Sequence, residues 1–239
     1  MPAHPTLEPH CRFKCDIQRR QCRLRPYEDT SRASQKSAGM SLSPRKRYRH
    51  EDLARLPEEE RWELIDGVPY ATASPSTAHQ LLCGHLFAQL FQYFTGKPCR
   101  VLAAPMDVRL SEVDVVQPDL MVVCRPEQLQ STHIAGPPRL VVEILSASTY
   151  RHDRIRKMNL YAASGIEEYW LVSPQPAMVE VFHLCERHYV LRGSYDDSHI
   201  IVASPSFPDL NLSLKDLFGC LPEGVCEPSL VYEVEPAVP

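Results

Sequence analysis

The chain has 239 residues and a mass of 27.2 kDa, of which 44% are hydrophobic and 23% charged. That suits one globular domain with tails and excludes a chain disordered throughout. No run reaches the about 18 apolar residues of a membrane span, and the polar N-terminus lacks a leader's apolar region, so a cytoplasmic protein without membrane contact is expected.

The net charge of −4 hides an asymmetry: residues 1–50 hold twelve Lys and Arg against four Asp and Glu. Residues 1–45 lack apolar periodicity and read as a basic disordered tail. Either it is a non-specific nucleic-acid arm, or it is an extension ahead of a natural start at Met40. The second reading is preferred, because M-S-L-S-P-R-K-R-Y-R-H-E-D-L from Met40 leads straight into the first helix-like segment. Residues 46–219 form the domain, and 220–239 a Pro-rich tail.

A short acidic helix is predicted over 50–61. Glu63 to Tyr70 reads as strand, Asp66-Gly67 turn and strand. Thr77, with Gln80 three residues on, forms a capping box. Apolar residues at 78, 81, 82, 86, 87, 90, 91 and 94 then follow a helical period, and Gly96 stops it. Strands are predicted at 101–110, 115–123 and 140–145, the last two continuous enough to be buried on both faces. A helix over 153–164 ends at Gly165. A strand at 168–172 and a hairpin of 179–183 with 188–191 follow, and Phe218-Gly219 closes the domain. This order indicates an α/β (α+β) sheet with helices packed on it.

The nine glycines never cluster, so a G-x-G-x-x-G loop is excluded; Gly219 and Gly224 have Walker-like spacing, but Val225 stands where lysine is required. Dinucleotide enzymes and P-loop NTPases drop out. None of the nine cysteines forms a C-x-x-C pair, and His10, Cys11 and Cys15 match no standard zinc finger. Cys83 and Cys124 lie in apolar runs and read as small buried hydrophobes.

Two acids stand out. Asp119 lies inside V-V-Q-P-D-L-M-V-V, and Glu143 is the one charge in L-V-V-E-I-L. Burying either is costly without a partner, and burying both on neighbouring strands calls for a cation between them. Hard carboxylate oxygens suit Mg²⁺ or Mn²⁺. Lys157 stands four residues after Asp153 on the same helix face, where it can stabilise phosphate charge or orient a water. Taken singly each residue also has a structural explanation: a strand-end Asp bonding backbone amides, a Glu paired with Arg139 or Arg151, a solvated Lys. Arg151, Arg154, Arg156 and Lys157 form a local basic cluster beside the acids.

With Pro118-Asp119 followed by Glu143-Ile144-Leu145, the chain resembles the PD-(D/E)XK nucleases. The wider string is E-L-I-D-G (63–67), S-P-S-x-x-H (74–79), Q-P-D-L (117–120), G-P-P-R-L-V-V-E-I-L-S (136–146), D-x-x-x-K (153–157) and G-I-E-E-Y-W-L-V (165–172). It is similar to the Uma-two family of restriction-endonuclease-like proteins over about residues 46–219. The resemblance implies a mixed central β-sheet flanked by helices and a Mg²⁺- or Mn²⁺-dependent endonuclease acting on DNA, often as a homodimer. It also implies Asp119, Glu143 and the Ile144 carbonyl as metal ligands, with Glu63 as an additional acid. Leu145 occupies the usual lysine position, and the lysine role passes to Lys157. His79, Asp107 and Asp153 are candidate supporting residues. Ala147 and Ser173 depart from the family pattern but remove no candidate ligand. The alternative is an inactive nuclease fold that binds nucleic acid or acts as a scaffold.

Overall fold

The computed structural model describes residues 47–57, 60–146, 149–196, 198, 202–222 and 224–225; the expectations for 1–45, Met40 among them, and for most of 220–239 lie outside the described residues. The domain opens with a 3₁₀ stretch at His50–Arg55 in place of the predicted longer helix. Pro57 explains the difference, because a residue before proline is driven to extended geometry, and Leu56 adopts it (φ −81°, ψ 160°). The predicted hairpin forms between β1 (Arg61–Ile65) and β2 (Val68–Thr72). Asp66 and Gly67 both have positive φ (51° and 71°), the twist a two-residue hairpin turn requires. A Cβ at Gly67 would also lie 2.9 Å from the Cβ of Arg47.

Helix α1 (Thr77–Phe94) buries Ala78, Leu82, Leu86, Leu90 and Phe94 along one stripe. Its cap is Ser76 rather than Thr77: in extended geometry (φ −73°, ψ 165°), Ser76 accepts a hydrogen bond from the His79 amide at 3.3 Å. Replacing Ser76 with Ala should lower stability by about 1 kcal/mol in urea titration. An undiminished midpoint would show that the helix does not depend on this cap.

The predicted strand over 101–110 is two strands, β3 (Arg100–Ala103) and β4 (Val108–Arg109). That over 115–123 is likewise β5 (Val115–Val116) and β6 (Leu120–Val123). Pro105 and Pro118 stand in the gaps, where a residue without N–H cannot continue a ladder. At each break the chain passes from one sheet to another. With β7 (Ile134–Ala135), too short for any sequence signal, the first sheet has the order β2-β1-β5-β4-β7. The second adds β8 (Leu140–Ile144), β9 (Glu168–Ser173), β10 (Met178–Cys185) and β11 (His188–Asp196) in the order β11-β10-β9-β8-β6-β3. Both are mixed, with parallel pairs β4/β7 and β8/β9.

Strand parity sorts the core. Leu120, Val122, Leu140, Val142, Ile144, Trp170 and Val172 pack with α1 and with α3 (Leu214–Gly219), which the sequence marks only as a closing Phe-Gly. Met121, Val123, Val141, Leu145, Tyr169 and Leu171 face the other way, against Tyr161 and Ile166. Each such side chain contributes about 2 kcal/mol by burial. The helix predicted over 153–164 is a π-helical turn (His152–Lys157) running into α2 (Met158–Ser164), and Gly165 follows in the left-handed conformation (φ 82°).

Cys124 is not a free buried thiol: it is bonded to Cys99, opposite it at the end of the β3/β6 ladder. The bond spans 25 residues, and its reduction should cost about 3 kcal/mol. Thermal melts with and without reductant measure this; coincident melts would show that the bond does not constrain the unfolded chain. No helix among the described residues is long and apolar enough to cross a membrane.

Candidate active site

The Pro118 break places Asp119 between the sheets, at the entrance to β6 rather than inside a strand. Its Oδ2 accepts from the Ile144 amide at 2.7 Å and lies 3.0 Å from His79 Nε2, one turn into α1. Glu143 shares the parity of Val141 and Leu145, so it points toward α2 and is 2% exposed. Neither Arg139 nor Arg151 neutralises it; Arg139 pairs with Glu167 at 3.1 Å.

Its partners come from the helix. Tyr161 donates to Glu143 Oε1 at 2.6 Å, and Lys157 Nζ lies 3.1 Å from the same oxygen. Lys157, itself 5% exposed, also lies 3.0 Å from Glu63 Oε1 and 3.5 Å from Asp153 Oδ1. Glu63 accepts from the Gln117 amide at 2.7 Å and has His152 Nε2 at 3.6 Å, too long for a hydrogen bond. One ammonium therefore serves three buried carboxylates, with Asp119 as a fourth acid nearby.

The electrostatics follow from that crowding. Burial alone would raise Glu63, but Lys157, with the nearby His152 and the Gln117 amide, holds it at about 2. Burial raises Glu143 well above the carboxylate range; Lys157 opposes this, and Asp153, Asp119 and Glu63 add to it. Asp153 is raised for the same reasons. Burial would lower Lys157, yet Glu143 foremost among the four acids lifts it well above an ordinary lysine. Opposed shifts within one buried cluster make it a candidate functional site.

Glu63, His79, Asp119, Glu143, Ile144, Asp153 and Lys157 all line one cavity of about 690 Å³. Asp107 does not. It accepts from the Gln117 side chain at 2.9 Å and so reaches Glu63 only through that residue. The basic cluster read from the sequence also disperses: Arg154 is bonded to Glu180, Lys157 is buried among acids, and of the three arginines Arg156 alone lines the cavity. Hydrophobic periodicity marks Tyr161 only as an apolar contact, although it stands one turn beyond Lys157 on the same face. Gln117 opens the Q-P-D-L motif without a role of its own there, and no sequence signal marks His152.

Among the described residues no three His, Cys, Asp or Glu side chains converge as a metal ion requires. The donor set nevertheless suits a hard divalent cation in kind, being oxygen-based, with four carboxylates against one ammonium.

The fold is α+β, and its acid-lined cavity is walled by residues of both mixed sheets. The family described as "Putative restriction endonuclease" (Uma2) matches residues 50–215, and the chain belongs to it. An uncharacterized protein of Synechocystis sp. (strain ATCC 27184 / PCC 6803 / Kazusa) is 30% identical over 144 residues, 59% of this chain and 74% of that protein. Among solved structures, a putative nuclease belonging to DUF820 from Anabaena variabilis ATCC 29413 shares the fold with a TM-score of 0.60. It is 22% identical, and the match covers 71% of this chain and 97% of that one.

Proposed function

We propose that the chain is a divalent-metal-dependent endonuclease that hydrolyses DNA phosphodiester bonds. The observation that carries this reading is the meeting of Asp119, Glu143, Glu63 and Lys157, from separate segments, in one cavity where carboxyl groups outnumber the ammonium. Asp119, Glu143 and the Ile144 carbonyl would hold Mg²⁺ or Mn²⁺, with Glu63 in support. Bound there, the metal supplies Lewis-acid activation of water and of the phosphate.

The chain's own residues do the rest. The Ile144 amide and His79 fix Asp119, and Tyr161 fixes Glu143. Lys157, cationic throughout the neutral range, is the group available to stabilise charge that develops on the phosphate. Cutting both strands would call for a homodimer, which light scattering tests.

A second reading has its own support. Lys157 already bridges Glu63 and Glu143, and no described trio of donors converges. On that reading the fold is inactive and binds nucleic acid or serves as a scaffold. Incubating plasmid with the protein, its Asp119→Ala and its Glu143→Ala versions, in Mg²⁺ or Mn²⁺, separates the two. Cleavage by the unaltered protein alone supports the endonuclease. Neither cleavage nor calorimetric metal binding supports the inactive fold.

A further inference from the structure

The cavity is larger than a reacting phosphate needs: about 690 Å³ is room for a whole nucleotide. Away from the carboxylates its wall is α1, through Gln80, Cys83, Gly84 and Phe87. Gly84 stands inside the helix, where glycine is unfavourable. A Cβ there would meet nothing within 4 Å, so the missing side chain leaves open space. Phe87, three residues on along the same face, borders that space. Its ring is half-buried and stacks on Phe91 with centroids 5.7 Å apart and planes at 20°, and Phe91 is 57% exposed.

Two guanidinium groups line the same cavity, and neither has a carboxylate partner among the described residues. Arg61 donates to the Ala73 carbonyl at 3.4 Å. Arg156 lies over the Tyr70 ring at 5.0 Å, with His152 Nδ1 at 3.4 Å.

We propose that the α1 end of the cavity is a slot for one unstacked nucleobase of a DNA strand, which lies against Phe87 while Arg61 and Arg156 hold the neighbouring phosphates. A flat ring flanked by phosphates is the ligand that needs both an aromatic wall and unpaired guanidinium groups. A bare phosphate would leave the aromatic wall unused, and an apolar ligand would leave the guanidinium groups unused. A base within a duplex must leave its stack to enter such a slot. The substrate class is therefore single-stranded or locally unpaired DNA, an inference that rests on the nuclease reading for the identity of the ligand.

The test uses the full chain in EDTA and an oligonucleotide carrying 2-aminopurine, whose fluorescence reports stacking. Expected are quenching on binding and about tenfold tighter binding of the single strand than of the same sequence fully paired. Gly84→Leu fills the slot from the helix surface and improves helix propensity, so the fold is retained while single-strand affinity falls about tenfold. Phe87→Ala should lose as much. Arg156→Ala should weaken binding and reduce its salt dependence by about one counterion. Equal affinity for single strand and duplex, or wild-type binding by Gly84→Leu, would overturn the slot. Plasmid cleavage with either of those results removes the slot and keeps the endonuclease. Phe87-dependent single-strand binding with no cleavage does the reverse.

Discussion

Asp119→Asn should abolish metal-dependent DNA cleavage, by about a thousandfold or more, while leaving the melting temperature nearly unchanged. The two effects separate because the substitution is isosteric. An amide oxygen still accepts from the Ile144 amide at the position Asp119 Oδ2 now holds, so the β6 entrance keeps its geometry. What is lost is negative charge. Asp119 adds to the burial-driven rise of Glu143 and Asp153, so removing it also relieves both acids. A structural aspartate would show the opposite pattern, with stability falling and cleavage preserved. Calorimetric melting beside a plasmid assay reads both, and cleavage at the wild-type rate would refute Asp119 as a metal ligand.

Much of this candidate site was legible in the sequence because burying charge is expensive. One acid in each of two apolar runs is a local anomaly, and no folding calculation is needed to see it. Glu168 shows where that logic stops. It too lies in an apolar strand and is fully buried, yet it accepts from the Trp170 indole at 2.6 Å, the Ser204 hydroxyl at 3.0 Å and the Ser206 amide at 2.7 Å. Those donors satisfy it without a cation. It projects from the α1 face of the sheet, whereas Glu143 projects toward α2. Parity within a strand, combined with knowledge of which helix covers which face, separates the two. The sequence gives the first and withholds the second.

The strand breaks were legible in part. Pro105 and Pro118 were visible, but apolar continuity on both sides outweighed them, and two runs became four strands in two sheets. That division shapes the candidate site, since the chain crosses from the first sheet to the second just before Asp119 and brings Glu63 of the first sheet beside Glu143 of the second. Tyr161 was missed because its ring belongs to the core while its hydroxyl belongs to the site, and hydrophobic periodicity registers only the ring. The disulfide was missed because Cys99 and Cys124 meet only through the β3/β6 register.

Lys157→Met should be the most destabilising single change in the site, costing about 3–5 kcal/mol at pH 7, because it leaves buried acids without their shared cation. The pH dependence contributed by Glu63 should reverse in sign. In the unaltered protein Glu63 is depressed to about 2, so its contribution is present above the ordinary value of 4.5 and is lost as pH falls toward 2. Without Lys157, burial dominates Glu63 as it already dominates Glu143 and Asp153. All three then sit above their unfolded values, and their cost is present above about pH 4.5 and fades as pH falls toward it. The variant should accordingly be more stable at pH 5 than at pH 7. Mg²⁺ should also raise its melting temperature more than that of the unaltered protein, since metal bound only by the folded form stabilises it by about 3 kcal/mol at a hundredfold excess over Kd. A variant stabilised by acid but indifferent to Mg²⁺ would keep Lys157 as the cluster's counterion and remove the metal from it. A variant as stable as the unaltered protein at pH 7 would refute the charge balance itself.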